Sequence, residues 1–134
     1  MSILKLTKGT DFENEIDKKM KGEGQAAVMY ATMAYIAGER GLTEVKDILM
    51  KSAVDELRHA SLYAVLNGSI SEDIFNTMKN ILPLESAAEA SLFEFAQTLR
   101  SHGLEEAANE IELVAKDECN HSNRLTYLTE KFEK

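Results

Sequence analysis

Glu56-Leu57-Arg58-His59 and Glu118-Cys119-Asn120-His121 decide the reading of this chain. Both are Glu-x-x-His, and they lie 62 positions apart. On a helix, residues i and i+3 share a face about one turn apart. Each tetrapeptide can therefore present a carboxylate and an imidazole to one cation. The same offset overlays the two halves of the chain without a gap. Glu23 falls on Glu85, Ala34 on Ala96, Gly41 on Gly103, Leu42 on Leu104, Glu44 on Glu106, Ala53 on Ala115 and Asp55 on Asp117. A repeat kept for packing alone would match mainly at apolar positions. This one matches at turn glycines, acids and histidines.

Length and charge bound the rest. The 134 residues suit a single domain, residues 1–134. A formal net charge of −8 argues against a nucleic-acid partner and against an anionic lipid surface. One cysteine, Cys119, excludes an internal disulfide and any all-cysteine metal site, and reads as a small buried thiol. No apolar run is long enough to cross a membrane. The opening residues Met1 to Leu6 lack the apolar segment of a secretion signal, so the cytoplasm is the expected compartment.

The punctuation predicts four helices and an all-α fold. Thr10 and Glu13 fit a capping box that opens a helix running to about Arg40, where Gly41 ends it. A second helix runs from Thr43 to Asn67 and stops at Gly68. Ser71 is placed to cap a segment over Glu72 to Leu82, and Pro83 either kinks that helix or opens a new one. Helix continues to about Ser101, Gly103 ends it, and a last helix covers Glu105 to Phe132. Long helices joined by tight turns predict a four-helix bundle of two repeated hairpins. Hairpin one spans about 11–67, a crossover segment about 68–82, and hairpin two about 83–132.

Helical spacing puts Glu56 on a stripe with Leu49, Ala53, Ala60 and Tyr63, and Glu118 on one with Ile111, Ala115 and Leu125. Glu23 shares its face with Ala26, Ala27, Tyr30 and Ala34; Glu85 shares its face with Ala88, Leu92 and Ala96. Four carboxylates thus point at the core of a small bundle, where unpaired charge costs several kcal/mol. Divalent cations remove that cost. One Glu from each of two helices and one Glu-x-x-His from each of the others is the ligand set of a dinuclear carboxylate centre. Mixed oxygen and nitrogen ligation suits iron or manganese. A single Glu-x-x-His is a weak signal, but here two of three histidines have it, each with a Glu 33 residues before the first position. The alternative is a bundle that keeps the pattern without a metal.

The chain resembles the ferritin-like domain of the rubrerythrin family. The resemblance is carried by Gly22-Glu23-Gly24-Gln25-Ala26, Tyr30, Gly41, Glu56-x-x-His59, Glu85, Gly103 and Val114-Ala115-Lys116-Asp117-Glu118-x-x-His121, and covers nearly everything beyond residue 12. It implies two iron ions, with manganese or a mixed pair as alternatives. Glu23 and Glu85 become bridging or terminal carboxylates, Glu56 and Glu118 bridging ones, and His59 and His121 terminal ligands. Tyr30 matches a tyrosine that hydrogen-bonds a ligand carboxylate. The family's second carboxylate on helix three falls here on Ala88; Glu89, one residue on, is a possible additional ligand or a solvated acid. No four-cysteine rubredoxin module follows, so an external electron donor such as rubredoxin is expected.

The crossover is short for a ferritin-like bundle. If Glu72 to Leu82 extends helix three, the connection must cover ~30 Å with a three-residue loop at ~3.5 Å per residue. Either that segment folds as a separate short helix, or hairpins from two chains complete each other's bundle. The favoured expectation is such a hairpin-exchanged homodimer. The expected function is peroxide reduction in oxidative-stress defence. A ferroxidase or iron-binding module, or a metal-free structural bundle, is the alternative.

Overall fold

A computed structural model describes residues 2–134, which form four helices and, among the described residues, no strand. They are α1 (Glu13–Glu39), α2 (Thr43–Asn67), α3 (Ile74–Ser101) and α4 (Glu105–Phe132). The chain divides into two compact units. The first ends at Glu72 and is a hairpin in which α1 packs on α2; the second, Asp73–Lys134, is a hairpin in which α3 packs on α4.

In each hairpin the turn rests on a glycine in the left-handed region, Gly41 at φ 72° and Gly103 at φ 78°. A side chain there would strain the backbone. The seam of each hairpin is built from alanines. Ala34, Ala37 and Ala53 are buried in hairpin one; Ala96, Ala108 and Ala115 are buried in hairpin two. Two of these pairs, Ala34 with Ala96 and Ala53 with Ala115, are repeat equivalents. Small residues let the helix axes approach closely, but they bury little area. No large side chain is fully buried among the described residues.

Each hairpin has its own polar ties. In hairpin two, Arg100 near the end of α3 reaches Glu105 (2.9 Å), Glu112 (2.8 Å) and Asn109 (3.2 Å) on α4. At the other end, Lys79 meets Glu133 at 2.9 Å. Hairpin one is tied instead by the segment before α1. Lys5 N–H donates to the Val65 carbonyl and Thr7 N–H to the Leu66 carbonyl, both at 3.0 Å. Asn67, buried at the end of α2, accepts from the Thr7 hydroxyl (2.6 Å) and donates to the Glu13 carbonyl (2.9 Å). The Val65 and Leu66 carbonyls lie in the last turn of α2, where a helix leaves carbonyls without intrahelical partners.

Two local expectations change, and of the two open at Pro83 one falls away. Phe12, not Thr10, is the N-cap of α1. The Thr10 hydroxyl still accepts from Phe12 N–H (3.2 Å), but Glu13 reaches back to Gly9 N–H (2.9 Å), so the reciprocal box does not close on one residue. Asp73, not Ser71, caps α3, its carboxylate accepting from Asn76 N–H at 3.0 Å, and the helix starts at Ile74 instead of Glu72. At Pro83, α3 continues, so no new helix opens there. Proline removes one backbone donor but does not stop a helix held by packing on a neighbour.

Candidate metal centre

Each hairpin gathers three donors. In hairpin one, Glu23 of α1 meets Glu56 and His59 of α2; in hairpin two, Glu85 of α3 meets Glu118 and His121 of α4. In both groups one ligand atom from each residue lies within 4.8 Å of the others. The i, i+3 spacing stacks each carboxylate one turn below its imidazole, and antiparallel packing brings the third residue across. The repeat seen in the sequence is thus a repeat of geometry.

The two groups differ in tightness. His59 Nδ1 lies 3.8 Å from Glu23 Oε2 and 3.9 Å from Glu56 Oε2. His121 Nδ1 lies 3.4 Å from Glu85 Oε2 and 3.5 Å from Glu118 Oε2. These separations are long for hydrogen bonds. Glu85 Oε2 is buried and makes no hydrogen bond. Beside it, Glu118 holds its proton more tightly than an ordinary carboxyl. The first cause is the adjacent Glu85 carboxylate, with which only a protonated Glu118 can hydrogen-bond; burial and Glu85's charge add to it, while His121 opposes. Two acids are pressed together with no donor between them. A proton or a cation satisfies them, and a hard or borderline divalent ion suits a set of two carboxylates and one imidazole.

The remaining candidates lie nearby. Tyr30 is half-buried two turns after Glu23 on α1, and no hydrogen bond joins it to a ligand carboxylate among the described residues. Glu89 is half-buried on α3 but is not one of the clustered donors. Cys119 is half-buried, with Asn123 Nδ2 at 3.9 Å from its sulfur. No helix among the described residues is long and apolar enough to cross a membrane.

Three relatives bear on this arrangement. An uncharacterized protein of Methanocaldococcus jannaschii is 30% identical over 129 residues, covering 96% of this chain and 92% of that protein. A rubrerythrin of Porphyromonas gingivalis is 28% identical over 152 residues, covering 99% of this chain and 76% of its own length. Rubrerythrin-1 of Clostridium acetobutylicum is 25% identical over 147 residues, covering 97% and 75%. No family model matches the chain, and no solved structure does. The weak but nearly full-length likeness to rubrerythrins is what carries a rubrerythrin-type reading of the donor groups.

Proposed function

The chain belongs to one family with the Methanocaldococcus protein, and from its paired Glu–Glu–His groups we propose that it is a dinuclear metal oxidoreductase of rubrerythrin type. The proposed reaction is the reduction of hydrogen peroxide: one peroxide, two electrons and two protons give two waters. The electrons come from an external reduced carrier such as rubredoxin. The observation that carries the reading is the buried, partnerless Glu85 Oε2 held against Glu118 and His121, with the same three residue types repeated in hairpin one.

When bound, two iron ions supply the two electrons and the Lewis acidity that cleaving an O–O bond needs. The chain supplies the cage. Glu23, Glu56 and His59 form one half of the ligand set and Glu85, Glu118 and His121 the other. Their four carboxylates offset the charge of two divalent cations. Tyr30 holds an ionisable hydroxyl within two turns of Glu23, suited to hydrogen-bonding a ligand carboxylate. Glu89, one turn after Glu85 on α3 and outside the clustered donors, would on this reading add a further carboxylate or remain a solvated acid.

Three donors do not fill two metal ions, so one hairpin's set requires another's. We assign that second hairpin to a partner copy. α2 runs eight residues past His59, ~12 Å, and α3 begins eleven residues before Glu85, ~16 Å. In the ferritin-like arrangement the connection must cover the sum. Residues 68–73, fully stretched at ~3.5 Å per step, reach ~24 Å. The exchanged homodimer removes the shortfall.

The test is stopped-flow oxidation of the iron(II)-loaded protein prepared without oxygen. Oxidation by peroxide at least ~100-fold faster than by dioxygen is expected, equivalent to a barrier about 2.7 kcal/mol lower. Equal rates, or faster reaction with dioxygen, overturn the peroxidase assignment in favour of iron oxidation.

A further inference from the structure

The donor residues occupy one side of hairpin one; the opposite side is apolar. Val28 and Ala31 of α1 line a groove with Met50, Val54 and Leu57 of α2, floored by Ala27 and Ala53. Leu57 and His59 are two residues apart, so their side chains diverge by about 200° around the helix. The groove therefore faces away from the imidazole. Its walls are open: Val28 is 66% exposed, Val54 and Leu57 are 59% exposed, and Met50 is 42% exposed.

The internal repeat provides a control for this surface. Shifted by 62 positions, Met50 becomes Glu112, Val54 becomes Lys116 and Leu57 becomes Cys119. In hairpin two Glu112 is taken up by Arg100 at 2.8 Å. The first-helix walls Val28 and Ala31 become Ala90 and Phe93 and stay apolar, so the difference lies on the second helix, where two of three wall positions carry charge in hairpin two and none does in hairpin one. The apolar second-helix wall is thus particular to hairpin one and not a requirement of the hairpin fold.

A row of charges borders the groove on α2: Asp47, Lys51, Asp55 and Arg58. Its signs alternate. Within the chain Arg58 meets Asp55 at 3.2 Å; laid antiparallel on a copy of itself about a two-fold axis between Lys51 and Asp55, the row brings Lys51 to the second copy's Asp55 and Asp47 to its Arg58, so each pair joins a charge already present. Such self-complementarity is what an isologous contact needs. The exposed parts of Val28, Met50, Val54 and Leu57 amount to roughly 400 Å² per copy, so these walls contribute about 800 Å² to a pair, and the bordering charged row brings the contact towards the ~1,000 Å² at which specific interfaces begin.

We propose that this outer face of hairpin one packs against the same face of a second copy of the chain, with the two α2 helices antiparallel. This contact does not rest on the metal reading, and it is separate from the hairpin exchange. The two-fold position leaves Val54 and its counterpart only ~3 Å apart along the helix axis at ~1.5 Å rise per residue.

That closeness gives the test. Val54→Cys protein is oxidised mildly at micromolar concentration and the covalent dimer is followed on non-reducing gels. Wild-type protein, whose Cys119 lies in hairpin two, gives the baseline. Disulfide formation about ten-fold or more above baseline is expected. Adding Lys51→Asp, which sets like charges face to face, lowers that rate about ten-fold, and Lys51→Asp with Asp55→Lys restores it. Bound iron and helicity remain at the wild-type level in all three, so failure here is distinguishable from failure of the metal reading. A Val54→Cys variant that stays at baseline, or cross-linking indifferent to the charge reversal, overturns the proposal.

Discussion

Replacing Glu85 by glutamine has opposite consequences with and without metal. In the metal-free protein, Glu85 Oε2 is buried without a hydrogen-bond partner and crowds Glu118. An amide removes one charge and adds two donors, which Glu118 can accept. Satisfying a buried polar atom is worth about 1–3 kcal/mol. The side chain is 24% exposed, so the lower end, about 1 kcal/mol, applies. For a chain of this length that raises the melting temperature by about 4 °C. With metal the sign inverts. A divalent ion at a hundred-fold excess over its dissociation constant stabilises the wild-type protein by about 2.7 kcal/mol, or about 10 °C. Glu85→Gln loses an anionic ligand, so less than half of that rise remains. The assay is thermal unfolding followed by far-ultraviolet circular dichroism, on chelator-stripped protein and after adding manganese(II). A Glu85→Gln variant that melts below the wild type when stripped would show the carboxylate to be a structural element, and the reasoning would fail. An unchanged response to manganese would contradict it equally.

Other perturbations have signs set by the structure. Glu118 titrates above its ordinary 4.5, chiefly through the neighbouring Glu85 carboxylate, so the folded metal-free protein binds more protons than the unfolded chain just above that value. Its stability therefore falls as pH rises through that window and stays lower above it; Glu118→Gln removes this part of the slope in melts from about pH 4 to about pH 7. Asn67→Ala removes the buried amide that accepts from the Thr7 hydroxyl and donates to the Glu13 carbonyl, and costs about 2 kcal/mol, measured by urea unfolding. Gly103→Ala, with open space around a new Cβ but φ at +78°, costs about 1 kcal/mol from the backbone alone. Gly22→Ala, inside α1 and equally unobstructed, is neutral or stabilising by up to about 1 kcal/mol.

The helices were legible because their ends carry chemistry. Gly41 and Gly103 sit at the same repeat register and both adopt positive φ, so they predicted the hairpin turns directly. The start of α3 was less legible. The sequence reading chose Ser71 as its cap, and the bond from Asn76 N–H to Asp73 moves the cap two residues on. Pro83 in sequence fits either a kink or a new start, and packing on α4 holds one helix across it. The strap over the end of α2 left no signal, because residues 3–10 have no periodicity and two of its ties, from Lys5 and Thr7 N–H, are backbone bonds.

The donor residues were legible because a cation site fixes both residue type and spacing. The structure brings Glu23, Glu56 and His59 together, and Glu85, Glu118 and His121. The sequence did not reveal that the second group is the tighter one, a difference of about 0.4 Å in the histidine contacts that follows from helix packing. The apolar outer face was also hidden. Val28, Met50, Val54 and Leu57 lie on none of the stripes that carry a donor, and it is the buried alanines that fix which direction each helix turns inward.

The central claim is that the paired Glu–Glu–His groups hold two metal ions. Plasma mass spectrometry on protein purified without oxygen measures this directly. The account predicts about two transition-metal ions per six-donor set, falling to one or none in His59→Ala and His121→Ala. Near-zero metal that iron(II) cannot restore would contradict it.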